Sequence, residues 1–123
     1  MKQIKTYKER RWLKVRESAL RRDKYIDQIQ KRYGIFKSAD MVHHIFPVAD
    51  FPEYQFELWN LISITQQTHN ELHDIDGSLS EKGRQLLLRT ARLNKIEVPF
   101  DYLRKPKRKR FLYTYSNERG IDE

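Results

Sequence analysis

The sequence predicts an α+β domain, with a strand–loop–strand–helix centre held between two helical segments and followed by a basic tail. Three observations carry that reading. Apolar residues recur at three- and four-residue steps over the first third and again within residues 78–95. Two short runs of strand formers, "VHHIF" and "LISIT", are separated by a loop carrying Pro47, Asp50, Pro52 and Glu53. All the histidines (43, 44, 69 and 73) fall between Met41 and Asp74, two in the first run and two in the segment after the second.

Residues 1–34 read as a basic helical region. Trp12, Val15, Ala19, Ile26, Ile29 and Tyr33 form an apolar stripe interrupted only by Arg22, and the residues between are mostly Arg, Lys, Glu and Gln, which favour helix. The pattern leaves open whether one helix reaches Tyr33 or breaks near Asp23–Lys24; Gly34 is a plausible stop. Residues 35–77 form the centre. Val42, Ile45 and Phe46 make "ADMVHHIF" a strand ended by Pro47, "LISIT" a second strand, and "QQTHNELHD" a helix stopping before the Asp76-Gly77 turn signal. Residues 78–95 are a further helix, with Ser78 and Glu81 at capping-box spacing, although Gly83 weakens its first turn. Residues 96–123 lose periodicity after Pro99, carry the tract "RKPKRKR" and are expected to be extended.

Only 38% of the 123 residues are hydrophobic and 34% are charged, enough for one small core. Cysteine is absent, which removes disulfides and thiolate zinc sites and fits a cytoplasmic protein. No apolar run approaches the ~20 residues of a membrane span, and the polar N-terminus does not resemble a signal peptide. The net charge of +8 is unevenly placed: +8 over residues 1–33, −6 over 34–80 and +6 over 81–123. Basic flanks around an acidic, histidine-bearing centre suit a polyanion held by the ends and presented to the middle. Solvated helix faces would give the same count.

The histidine spacing is more specific. On a helix, His69 and His73 lie one turn apart on one face, where two imidazoles can share a metal ion. His43 and His44 are neighbours near a strand end, and ideal strand geometry sends them to opposite faces. They serve one site only if the strand end twists or if they play different parts.

The pattern His-His-x15-Asn-x8-His-x3-His, with Ile-x-Pro after the histidine pair and Asn60-Leu61 opening the second strand, resembles the HNH endonucleases. It is similar to the three-histidine metal site of colicin-type nucleases and to the small HNH proteins of bacteriophages and prophages. "YKERRWLKVRESALRRDKY" and "SLSEKG" resemble segments flanking the motif in the phage proteins, so the likeness spans residues 6–90 and omits the tail. The resemblance implies a ββα-metal (His-Me finger) fold and hydrolysis of DNA phosphodiester bonds with one divalent metal ion. It implies His44 as general base, His43, His69 and His73 as metal ligands, and Asn60 as the residue holding base and loop in place. Imidazole, with an ordinary pKa near ~6.5, suits both tasks. Three neutral imidazoles also leave coordination positions open for phosphate and water. They suit Zn²⁺, Ni²⁺ or Mn²⁺, and Mg²⁺ is a further candidate for cleavage.

The phage relatives commonly carry two Cys-x-x-Cys pairs around a structural zinc. The matching positions here are Asp27 and Gln30, then Thr65 and Thr68, so no structural zinc is expected. If the backbone is retained, these four should lie together as a hydrogen-bonded cluster, helped by packing of Ile26, Ile29 and Tyr33. DNA is the expected partner, held at its phosphates by Arg10, Arg11, Lys14, Arg21 and Arg22 and by Arg104, Lys105, Lys107, Arg108, Lys109 and Arg110. The phage likeness suggests a role beside the terminase in packaging, in the cytoplasm of a bacterial host. The alternative is a catalytically silent DNA-binding accessory protein on the same fold; a structural metal module ranks third.

Overall fold

A computed structural model describes residues 6–103. The basic tract of residues 104–110, with Arg104, Lys105, Lys107, Arg108, Lys109 and Arg110, lies outside the described residues.

Helix α1 spans Tyr7–Arg22. Its start is a reciprocal cap: the Thr6 hydroxyl accepts from the Glu9 amide at 3.1 Å, and the Glu9 carboxylate accepts from the Thr6 amide at 2.8 Å. The first third is two helices, not one. The chain leaves α1 at Asp23, and Lys24 and Tyr25 follow with φ of 57° and 59°, left-handed conformations that no helix continues. The short α2, Gln28–Lys31, starts with the Asp27 carboxylate accepting from the Gln30 amide and ends before Gly34, whose φ is 79°. Ile29 is buried, but Tyr33 is 72% exposed, so the apolar stripe stops short of its expected end.

The sheet has two antiparallel strands, β1 (Met41–His44) and β2 (Leu61–Ile64), in register Met41↔Ile64, Val42↔Ser63, His43↔Ile62 and His44↔Leu61. Two 3₁₀ turns, Pro52–Tyr54 and Leu58–Asn60, shape the loop between them. Strand alternation divides the partners. Ile62 and Ile64 enter the main core with Ile29, Ile45, Phe46, Phe51, Leu72, Leu86, Leu87 and Ala91. Leu61 and Ser63 turn to the other face, where α1 packs. Three bonds seat α1 there: Arg22 donates to the carbonyls of Leu58 (2.7 Å) and Leu61 (2.6 Å), and Asp23 accepts from the Ser63 amide (3.0 Å).

Helix α3 is Gln66–Glu71, capped by Thr65, and α4 is Glu81–Asn94. The cap of α4 is Ser80, not Ser78: the Ser80 hydroxyl accepts from the Gly83 amide at 3.2 Å, whereas Ser78 closes a turn on Asp76. Gly83 is explained by space. A Cβ there would stand 2.3 Å from the Leu72 carbonyl oxygen, so only glycine lets α4 start against that backbone. A final helical turn, α5 (Phe100–Leu103), occupies part of the segment expected to be extended.

The four positions matched to zinc cysteines do meet. Asp27 is fully buried and its carboxylate accepts from the Thr65 amide (2.8 Å), the Thr65 hydroxyl (2.9 Å) and the Thr68 hydroxyl (2.6 Å). The Gln30 amide donates to Thr68 at 3.2 Å and to Thr65 at 3.4 Å. Burial pushes the Asp27 carboxyl up, yet the bonds from Thr68, Gln30 and Thr65 together hold it below the usual carboxylate range.

Candidate functional site

His43 leaves β1 on the face shared with Ile62 and Ile64, and there it meets His69 of α3 and His73. The ring centroids lie 5.6 Å (His43–His69), 5.2 Å (His43–His73) and 4.6 Å (His69–His73) apart. One ring nitrogen from each falls within 4.8 Å of the others. His73 is not on the helix as the spacing suggested. It follows the C-cap, Leu72, and is held by a bridge to Leu79 and by its Nδ1 against the His69 carbonyl at 3.2 Å. That carbonyl can only accept, so Nδ1 is the donor in this contact and Nε2 of His73 is the nitrogen left to face a cation.

The cluster fits a divalent cation. Its donors are borderline nitrogen ligands at converging positions, and Nδ1 of His69 is buried with no partner among the described residues. Burial, reinforced by the neighbouring imidazoles His73, His69 and His44, pushes His43 down to about 3. Burial and then His73 likewise lower His69. Both rings are therefore neutral at pH 7 and can donate lone pairs.

His44 leaves β1 on the opposite face and makes different contacts. Its ring stacks on Trp12 of α1, centroids 4.8 Å apart and planes 25° apart, and its Nε2 lies 3.0 Å from the Gln55 carbonyl. Burial lowers its pKa, against the Gln55 hydrogen bond, which raises it. Even so, His43, His44, His69 and His73 line one open cleft with Met41, Val42 and Pro47, with a volume of about 230 Å³. The two neighbours reach one cleft because it opens at the strand end, beyond the edge that separates the faces.

Asn60 is fully buried behind this arrangement. Its Oδ1 accepts from the Phe46 amide at 2.7 Å, and its Nδ2 donates to the carbonyls of Phe46 (3.3 Å) and Tyr54 (3.2 Å). One side chain thus ties the exit of β1 to the loop residue preceding Gln55. Phe46 is ringed by Phe51, Tyr54 and Trp59, so these loop aromatics are packing groups. Glu71 stands outside the cluster, paired with Lys82 at 2.9 Å.

The basic residues of α1 divide. Arg10 and Lys14 are on its exposed side. Arg21 pairs with Glu17 at 3.4 Å, and the Arg11 guanidinium lies 4.3 Å above the Phe56 ring. Arg22, expected on a nucleic-acid face, is committed internally, to Asp23 and to the carbonyls of Leu58 and Leu61. Sequence reasoning missed two members of the site. Trp12 was absorbed into an apolar stripe, and Gln55 acts through its backbone, which leaves no side-chain signal.

No family model matches the chain, and no curated protein does. Among solved structures it is similar to the HNH endonuclease of the deep-sea thermophilic bacteriophage GVE2, determined with manganese ion. The likeness has 30% identity and a TM-score of 0.50 and covers 52% of this chain and 70% of that one. The chain belongs to the HNH endonuclease family. Its described residues form the mixed helix and two-stranded antiparallel architecture expected for an HNH-like fold. No helix among them is long and apolar enough to cross a membrane.

Proposed function

We propose that this protein is a metal-dependent DNA endonuclease in which β1, β2 and α3 act as a ββα-metal motif. The observation that carries the reading is the division of labour between two adjacent histidines. His43 joins His69 and His73 as one converging donor set, while His44 opens on the same cleft with different partners.

His43, His69 and His73 would hold one divalent ion, which when bound supplies Lewis acidity toward a phosphodiester and its leaving oxygen. The manganese of the GVE2 relative supports Mn²⁺ as the first ion to try. His44 is the general base. The Gln55 carbonyl accepts only, so it places the proton on Nε2 and leaves Nδ1 unprotonated, ready to take a proton from the attacking water. Its lowered pKa keeps the ring neutral at pH 7. Asn60 positions the loop that carries the accepting carbonyl. Arg10 and Lys14 of α1, with Arg104, Lys105, Lys107, Arg108, Lys109 and Arg110 of the tail, would contact phosphates with little base readout. The phage kinship extends the proposal to a role beside the terminase in a bacterial host.

The test is plasmid cleavage by the purified chain across Mn²⁺, Zn²⁺, Ni²⁺ and Mg²⁺. Nicked or linear product with 5′-phosphate ends, lost on chelation, is expected with at least one ion. DNA binding with no cleavage under any of them would replace the enzyme with a silent accessory protein.

A further inference from the structure

We propose that Trp12 is a positioning residue for His44, and that Arg11 beside it fixes the loop bearing the partner of that ring. The proposal rests on the reading of His44 as general base and adds the element that orients it.

A histidine ring turns broadly about its terminal torsion, and a single hydrogen bond leaves it free to tilt about that bond. His44 has two restraints of different kinds. The Gln55 carbonyl at 3.0 Å fixes which edge faces the loop, and the Trp12 indole, stacked at 4.8 Å and 25°, fixes the plane. Together they select one orientation and one tautomer, with Nδ1 unprotonated. Neither restraint comes from the sheet that carries His44.

Arg11 secures the second restraint. Its guanidinium lies 4.3 Å over the Phe56 ring, and Phe56 directly follows Gln55. Consecutive residues of α1 therefore touch the imidazole and the loop that supplies its acceptor. The helix is itself seated on the sheet through Asp23 to the Ser63 amide and Arg22 to the Leu61 carbonyl. Any slip of α1 would move both restraints at once. One face of the indole covers His44.

The test uses Trp12→Leu, which keeps an apolar side chain without a π face, Trp12→Phe, which restores one, and Arg11→Gln. Ring signals of His44 are read in the full metal-free chain by long-range proton–nitrogen spectra. The wild type should show the Nε2-protonated tautomer and ring protons shifted upfield by the indole. Trp12→Leu should lose the upfield shift and average the two nitrogen signals; Trp12→Phe should retain both features, and Arg11→Gln should weaken the tautomer preference alone. With Mn²⁺ and plasmid DNA, Trp12→Leu should lower kcat by about 10- to 100-fold with KM and Mn²⁺ affinity nearly unchanged. Wild-type ring signals in Trp12→Leu would overturn the proposal, as would a raised KM at unchanged kcat, which would mark a DNA contact instead. If the wild type cleaves no DNA while the ring signals respond as described, the nuclease reading fails and the hold of Trp12 on His44 stands.

Discussion

Replacing Asp27 by alanine should cost the domain roughly 3–5 kcal/mol, a figure that follows from counting what its carboxylate satisfies. Four donors end on it: the amides of Gln30 and Thr65 and the hydroxyls of Thr65 and Thr68. The two hydroxyls keep each other at 3.2 Å and the Gln30 side chain at 3.2 and 3.4 Å, so their loss is partial. The Thr65 amide is buried and loses its acceptor outright, and the Gln30 amide loses its helix cap. An orphaned buried donor costs about 1–3 kcal/mol and a lost cap about 1 kcal/mol, with the loosened hydroxyls adding the remainder. Against a typical total of ~5–15 kcal/mol, that brings a small domain near its threshold. Urea unfolding followed by circular dichroism measures it. Asp27→Asn keeps the volume but turns a donor toward one of the four groups, and should cost roughly half as much.

The acid limb gives a second reading of the same group. Its folded-state value is depressed, so its contribution is complete above the ~3.9 of an unfolded carboxylate and is lost as pH falls through the folded value. The gap between wild type and Asp27→Asn should therefore narrow below about pH 4. An Asp27→Ala variant within about 1 kcal/mol of wild type at pH 7 would refute the reasoning, because the cluster would then be decoration on a fold held elsewhere.

The remaining expectations concern the site and the arms. His44→Ala should lower cleavage by about 10²- to 10⁴-fold while Mn²⁺ titration calorimetry stays near wild type, whereas His69→Ala should lose the ion as well; equal metal loss in both would erase the distinction of roles. Deleting residues 104–123 should weaken DNA binding alike for unrelated sequences and flatten its salt dependence, and a truncation that instead changes cleavage preference points to base reading. Gly83→Ala should destabilise by about 1–3 kcal/mol despite alanine's better helix propensity, because its Cβ would meet the Leu72 carbonyl at 2.3 Å. That displacement adjoins His73, so Mn²⁺ affinity should fall with it, and a neutral outcome in both measurements would contradict the close approach.

The sequence made the histidine cluster legible because ligand chemistry restricts residue type and spacing together. Two strands and a following helix bring His43 and His69 within reach, and the turn past the helix end adds His73. The meeting of Asp27 and Gln30 with Thr65 and Thr68 was also legible, because the resemblance matched these positions to residues that lie together. What escaped was set by backbone events with weak local signals. The break after α1 depends on two non-glycine residues, Lys24 and Tyr25, in left-handed conformations that their residue types do not signal. His73 falls past the helix end because α3 stops at Glu71, where the chain turns to bridge Leu79. Arg22 looks like any surface cation until the carbonyls of Leu58 and Leu61 appear beside it.

One consequence of how α1 and α2 meet the sheet concerns the company the protein keeps. A two-stranded sheet has two open flanks, and an unpaired flank is a template for a strand from another molecule. On β2 three outward-facing groups have partners: the Leu61 carbonyl takes Arg22, the Ser63 amide gives to Asp23 and the Thr65 amide to Asp27. Side chains from the end of α1 and the start of α2 take these places, one donor and two acceptors where a third strand would offer backbone groups. Neighbouring copies therefore meet a sheathed margin on β2, which disfavours strand exchange there. Neutralising Asp23 would reopen that margin, making aggregation, rather than lost chemistry, the first symptom of such a change.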